Sequence, residues 1–447
     1  MPSTSTQALQ AVHDLAVPLA DDDRHEALLQ MIGDARFVLL GEASHGTHEF
    51  YRERARITQR LVAERGFHAV AIEGDWPERF RVNRHVRGLG GDAGAAAALA
   101  GFERFPRWMW RNHVMRSFVT WLKEWNGARP SEARVGVYGL DLYSLNRSIG
   151  AVLAHLDTED REAAIFVRER YACLDQFGGD SQVYGLMTGL RGHDRWEAPV
   201  RRALRQAPAR PPRDGGPPDA EARFDAAQNA LLVKNAEAYY RSMYLSEESS
   251  WNVRDRHMAE SLERLDAHLA RRLGAREVPR IVVWAHNSHL GDARSTEMGW
   301  GRGELNLGQL VRERHGDDAF LVGFTTRTGT VTPASDWDSP ARRMSVLPTR
   351  PDSHEALLHA SGLGRFVLPL RHAPHGHRAT LSAPRLERAI GVIYRPETER
   401  WSHYFPARLA DQFDAVVHLD TTHALAPLEP DPGWHDPEAP ETYPSGL

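Results

Sequence analysis

Glu42, Ser44 and His45 sit in one short stretch, GEASHGT, between the apolar run at residues 37–40 and a helical pattern that begins a few residues later. A carboxylate beside an imidazole suits water activation. Neutral histidine, with a pKa of about 6.5, takes a proton from water near neutral pH, and a neighbouring carboxylate fixes its tautomer and raises its basicity. Acids and histidines recur after other apolar runs: Glu73 after 69–72, Asp141 after 134–140, His286, Asn287, His289 and Asp292 after 280–285, and Asp420 after 414–419. Two or three histidines with carboxylates also satisfy zinc or manganese, so histidine-activated water and metal-assisted hydrolysis both stay open.

Arginines occupy unusual places beside these groups. The pattern at 47–65 predicts a helix with Thr47 as its N-cap and Glu49 in its first turn. Phe50, Ile57 and Leu61 mark the stripe facing the core, and Arg54 completes the spacing. Such an arginine either snorkels to the surface or reaches a buried carboxylate or a substrate oxyanion near Glu42. A second helix, starting near Asn252, presents Met258, Leu262, Leu265 and Leu269, and its stripe extends back onto Arg254 and Asp255, an internal ion pair or part of a pocket. Trp108 and Trp110 enter the helix whose core stripe is Val114, Phe118, Trp121, Leu122 and Trp125, and serve either as core or as the lining of a pocket for a bulky apolar ligand. Trp300 lies in the glycine-rich stretch MGWGRGELNLG, suited to folding over a site.

The elements that must hold these residues alternate strand and helix. A βαβ unit runs from 37 to 73, and further strands are predicted at 134–140, 280–285, 319–324, 389–394 and 414–419. If the sheet is parallel, Glu42 and Glu73 end neighbouring strands and share one crevice. The expected fold is α/β, a mostly parallel central sheet flanked by helices with a helical insertion in the middle of the chain. Residues 1–146 and 276–425 form the two parts of the core and 147–275 the insertion, with a loop at 201–223 and a loose tail at 426–447. The segment 179–185, GDSQVYG, echoes a lipase nucleophile block but lies in helical text, and no G-x-S-x-G occurs.

The composition, 447 residues with 41% apolar, 26% charged and a net charge of −5, belongs to an ordinary globular chain and argues against a nucleic-acid partner. Cys173 is the only cysteine, which excludes an internal disulfide and a thiolate metal cage; its plain reading is a buried filler. No membrane-spanning run or signal peptide is apparent, so the expected location is the cytoplasm and no membrane partner is expected.

The motifs GEASHGTHEF, AIEGDWP, FPRWMWRN, GLDLYS, RDRHMAE and AHNSH, with the closing FDAVVHLDTT, occur in an order that resembles the erythromycin esterase-like proteins over about residues 30–425. The resemblance implies an α/β core with a helical portion and hydrolysis of a macrolide lactone without a metal, a cofactor or a nucleophilic serine. A histidine activates water, assisted by glutamates, an arginine and a second histidine. The matching positions are Glu42, His45, Arg54, Glu73 and His286, with His289 as the other candidate for the second histidine. The implied partner is a small-molecule ester or macrolide, with Trp108, Trp110, Asp141, Arg254 and Trp300 as substrate-binding candidates. Two other classes remain: a metal-dependent hydrolase of phosphate esters or peptides, and a non-catalytic binder of a large apolar ligand such as heme or a macrolide.

Overall fold

A computed structural model describes residues 4–20, 25–159, 161–162, 164–165, 167–169, 220–245, 249–274, 277–431 and 434. Cys173, the segment 179–185, nearly all of the loop at 201–223 and most of the tail lie outside them. The chain forms two compact units. The first comprises Met1–Val70, Arg84–Gly136 and Pro279–Leu447, and the second Ala71–Asn83 and Val137–Val278.

The strands among the described residues are β1 (Val17–Pro18), β2 (Phe37–Leu40), β3 (Ala69–Asp75), β4 (Gly136–Asp141), β5 (Ile281–Trp284), β6 (Ala319–Val331), β7 (Met344–Val346), β8 (Arg365–Pro369), β9 (Arg385–Arg388), β10 (Tyr404–Ala407) and β11 (Ala415–Thr422). The helices needed below are α1 (His48–Arg65), α2 (His113–Gly127), α3 (Ala220–Leu245) and α4 (Ser250–Leu273).

In the first unit, a large sheet flanked by helices runs in the order β1-β8-β11-β6-β2-β5, with β7 against β6. Its centre is parallel: β2 pairs with β5 on one side and β6 on the other, Leu40 lying opposite both Trp284 and Val322, and β11 pairs with β6. Toward the edges β8, β1 and β7 run antiparallel. All four residues of β2 are buried, as a continuous apolar run between parallel neighbours requires. α2, capped by the Asn112 side chain accepting from Met115 N–H, brings Phe118 to within 5.0 Å of the Trp284 ring.

Two expectations are corrected here. The neighbours of β2 are β5 and β6, so β3 is not one of them, and Glu73 lies inside β3 rather than after it. The strand expected at 389–394 is instead β9, a few residues earlier and hairpinned with β10, while Ile390 and Ile393 make only single bridges, to Ser44 and Ala334. The apolar residues Ile390, Val392 and Ile393 continue the strand-like composition although the backbone pairing does not continue.

The second unit holds most of β3 and β4 as neighbours, and the long helices α3 and α4. Met258, Leu262, Leu265 and Leu269 of α4 are all buried, and so is Asp255 at the start of the same face. Among the described residues, no helix is long and apolar enough to cross a membrane.

Gly46 is a glycine that the first unit's geometry requires. Gly46 has φ +77°, and a Cβ there would lie 2.1 Å from the Thr332 carbonyl oxygen. Gly46→Ala should therefore destabilise the protein by about 1–3 kcal/mol. The reading is the urea midpoint, which should fall with an unchanged slope; an unmoved midpoint would mean that the turn has room the structure does not show.

Candidate functional site

The turn from Gly41 to Thr47 is held by backbone bonds to distant segments. Gly41 N–H donates to Val322 O at 2.8 Å, His45 N–H to Ile390 O at 3.0 Å, and Ile390 N–H to Ala43 O at 2.9 Å. The Gly46 carbonyl accepts from both Thr332 and Leu425. Thr47 stands at the N-cap of α1, but its hydroxyl pairs with Ser44 Oγ at 2.5 Å instead of capping the helix. A turn pinned on every side holds its side chains in fixed directions.

Glu42, fully buried, joins two of the sequence-derived residues. His45 Nδ1 lies 2.9 Å from its Oε1, and Arg54 Nη2 donates to its Oε2 at 2.8 Å. Arg54 is fully buried, as its place on the helix stripe requires, and it reaches the buried carboxylate rather than snorkelling. Its guanidinium lies 4.4 Å from the Tyr51 ring and 5.3 Å from that of Trp284. Nε and Nη1 have no hydrogen-bond partner among the described residues, so the aromatic faces supply much of what replaces water around this cation. With an ionised Glu42 on Nδ1, His45 carries its proton there and leaves the Nε2 lone pair to accept one.

At the end of β5, the His286 ring lies 5.0 Å from that of His45. Ser288 N–H donates to His286 Nδ1 at 3.2 Å, and the Ser288 hydroxyl is 2.8 Å from the same nitrogen. Nδ1 of neutral His286 is therefore the acceptor, and its proton sits on Nε2. The two rings are held differently: His45 Nδ1 faces a carboxylate and His286 Nδ1 a donor N–H. The ring against His45 belongs to His286; His289 is buried on the short helix Asn287–Leu290 that follows.

Asn287 binds these pieces together. Its N–H donates to Glu42 O at 2.8 Å, its Nδ2 donates to Phe324 O at 2.8 Å, and its Oδ1 accepts from Phe324 N–H at 3.2 Å.

A family profile described as Erythromycin esterase matches residues 62–422. The chain belongs to the erythromycin esterase family. Membership makes a hydrolase of the esterase type the class of activity. An erythromycin esterase type II of Escherichia coli is 22% identical over 329 residues, 69% of this chain and 73% of that one. Among solved structures, a succinoglycan biosynthesis protein superposes with a TM-score of 0.75 at 21% identity, covering 95% of this chain and 99% of that one. A mutant of the erythromycin esterase EreC in its open conformation gives 0.60 at 19% identity, covering 94% and 97%. At these identities the structural likeness concerns the fold.

Other expected residues of this erythromycin esterase family member fall elsewhere. In the second unit, Arg254 forms a fork with Asp141, Nε to Oδ1 at 2.9 Å and Nη2 to Oδ2 at 2.7 Å, and Nη2 also reaches Glu73 Oε1 at 2.8 Å. Burial opposes ionisation of Asp141, but the Arg254 guanidinium outweighs it and holds the carboxyl below its ordinary value. The Tyr143 ring lies 5.0 Å from the guanidinium. In the first unit, Trp108 is buried, packs on Gly46 and lines a cavity of about 290 Å³ with Phe105, Arg107, Arg111 and Pro340. Trp110 is buried at 5.9 Å from the Tyr51 ring, behind the Arg54 group. Trp300 is 44% exposed and has the Arg408 guanidinium 4.9 Å from its ring. Among the described residues, no three His, Cys, Asp or Glu side chains are grouped as metal ligands. Tyr51 and Trp284 were not singled out from the sequence; Tyr51, three residues before Arg54 on the same helix, carried the available signal.

Arg54→Met should cost about 3–5 kcal/mol of stability, because it leaves a buried carboxylate without a counter-ion. Combined with Glu42→Gln it should cost less than the sum of the single changes, as read by denaturant unfolding of all four proteins. Additive costs would mean that the pair is uncoupled.

Proposed function

We propose that the protein hydrolyses a carboxylic ester or macrolide lactone with water activated by His45 and no serine nucleophile. The observation that carries this reading is the buried chain Arg54–Glu42–His45 with the His286 ring beside it. His45 Nε2 takes a proton from water as the oxygen adds to the ester carbonyl carbon, and Glu42 stabilises the imidazolium that forms. His286 Nε2–H donates to the oxyanion of the tetrahedral intermediate. Collapse breaks the bond to the alcohol oxygen, which takes the proton back from His45 and leaves an acid and an alcohol.

Arg54 is too deep to meet substrate. Its role is to hold the Glu42 carboxylate in place beside His45. Trp108 is proposed to contribute apolar surface for substrate through the cavity it lines. His289 is proposed to support the short helix Asn287–Leu290 on which it sits. The erythromycin esterase relatives support a macrolide as the first substrate to try.

Mass spectrometry of erythromycin and simpler lactones, after incubation with chelator-treated protein, should give products one water heavier, and simple esters should give the separate acid and alcohol. His45→Ala should slow their formation by about 10²–10⁴-fold, the range for losing a general base. Undiminished turnover by that variant would remove His45 from its role, and a ligand bound stoichiometrically but recovered unchanged would make the protein a binder.

A further inference from the structure

The first unit contains a second buried acidic group that this mechanism leaves unused. Glu387, on β9, and Glu355, on the helix His354–His359, are both 0% exposed. Glu355 Oε1 accepts the N–H of Arg388 at 2.9 Å. The Arg388 guanidinium is committed elsewhere, to Leu347 O, Thr326 O, Arg327 O and Glu399 Oε1. His354 Nε2 bonds to Ala407 O at 2.9 Å, and burial pushes its pKa down to about 4, so it is neutral. On the opposing strand β10, Phe405 pairs with Glu387 through the backbone. Glu387 is thus a fully buried carboxyl with no ion pair to any cation among the described residues.

The groups it does meet are amides. Asn287 Nδ2 points to its Oε1 at 3.4 Å and the Gln412 side chain lies beside it, while Oε2 has no hydrogen-bond partner among the described residues. An ionised carboxylate in such a place would cost several kcal/mol, on the order of the penalty for an uncompensated buried charge, and neutralisation is the ordinary escape. Burial, reinforced by Glu355, pushes the Glu387 pKa up to about 8.

Asn287 gives this group a connection to chemistry. It follows His286 directly, donates its backbone N–H to Glu42 O, and has no slack: a Cβ on Gly41 would lie 2.1 Å from its Oδ1. We propose that Glu387 is a positioning residue, a protonated carboxyl that fixes the Asn287 amide and through it the backbone carrying Glu42 and His286. Its effect on turnover rests on the hydrolytic reading above; its protonation and its hold on Asn287 do not.

The test compares the wild type with Glu387→Gln, which keeps a neutral polar group of the same shape, and Glu387→Ala. At pH 7 the wild type should show an infrared carbonyl band of a buried protonated carboxyl that Glu387→Gln lacks. A raised carboxyl pKa means that the folded chain holds a proton the unfolded chain releases. The melting temperature of the wild type relative to Glu387→Gln should therefore fall as pH rises from about 4.5 to about 8 and level off above. The His286 ring signals in the nuclear magnetic resonance spectrum, assigned with a His286→Gln variant, should move in Glu387→Ala and not in Glu387→Gln. With erythromycin as the probe, Glu387→Ala should lose about tenfold in kcat with KM little changed, the scale of a lost supporting hydrogen bond, and Glu387→Gln should recover it. Identical infrared spectra and parallel melting profiles for wild type and Glu387→Gln would overturn the protonation. An unmoved His286 signal in Glu387→Ala would overturn the positioning role. Absence of erythromycin turnover in the wild type would count against the hydrolytic reading alone, since the spectra and melting profiles still decide the rest.

Discussion

The ion pair between Glu42 and Arg54 is the interaction around which the first unit's candidate site is built. Neither partner touches solvent, so neither can stay charged without the other. The arginine needs more than one carboxylate oxygen, and Tyr51 and Trp284 supply aromatic faces around it. Trp284 is in turn fixed by its indole N–H on Thr58 of α1 at 2.9 Å. β2 ends at the turn that carries Glu42, α1 brings Arg54, and β5 brings Trp284, whose ring lies 5.3 Å from the guanidinium. His45 Nδ1, 2.9 Å from Oε1 of the same carboxylate, is tied to all three elements through Glu42.

Precision in the turn comes from elsewhere in the chain. Residues 41–47 make few bonds among themselves; among the partners that hold them are Val322, Thr332, Ile390 and Leu425. These positions lie in or beside β6, β9 and β11, whose pairing sets where their carbonyls and amides point. The second unit solves a similar problem differently: Arg254 gathers Glu73 and Asp141 with one guanidinium, so two acids from separate strands are held by a single cation. Both devices place charge where water is scarce, and both use arginine, whose planar fork loses less freedom per bond than lysine would.

Much of this was legible in the sequence where one residue type breaks a strong pattern. Arg54 interrupts an apolar helical stripe, and the structure buries it against Glu42. The run at 37–40 is short and wholly apolar, and it is a central strand. The helix at 48–65 needed only the 3.6-residue period. What was not legible depended on contacts far apart in sequence. Neighbouring order in a sheet is set by crossovers, which is why β5, not β3, lies beside β2. The segment 389–394 has the composition of a strand, yet its polar backbone groups are spent on Ala43, His45 and Ala334 instead of a ladder. Glu387 looked like any acid in a charged stretch, because its isolation is produced by Glu355, Asn287 and Gln412, none of them near it in sequence. Thr47 marked the start of α1 but not its own bond, since the nearby Ser44 hydroxyl competes with the helix N–H groups.

The double acceptance by the Gly46 carbonyl also has a consequence for how the protein is made. Its two donors, Thr332 N–H and Leu425 N–H, come from the last third of the chain, and His423 adds a further tie, its N–H donating to Glu49 at 2.8 Å. A ribosome releases the GEASHGT turn early and these partners late, so during synthesis the turn waits without the bonds that shape it. The frame of the turn is therefore completed only once residue 425 has been made, and a nascent chain stopped before it carries His45 and Glu42 without those bonds.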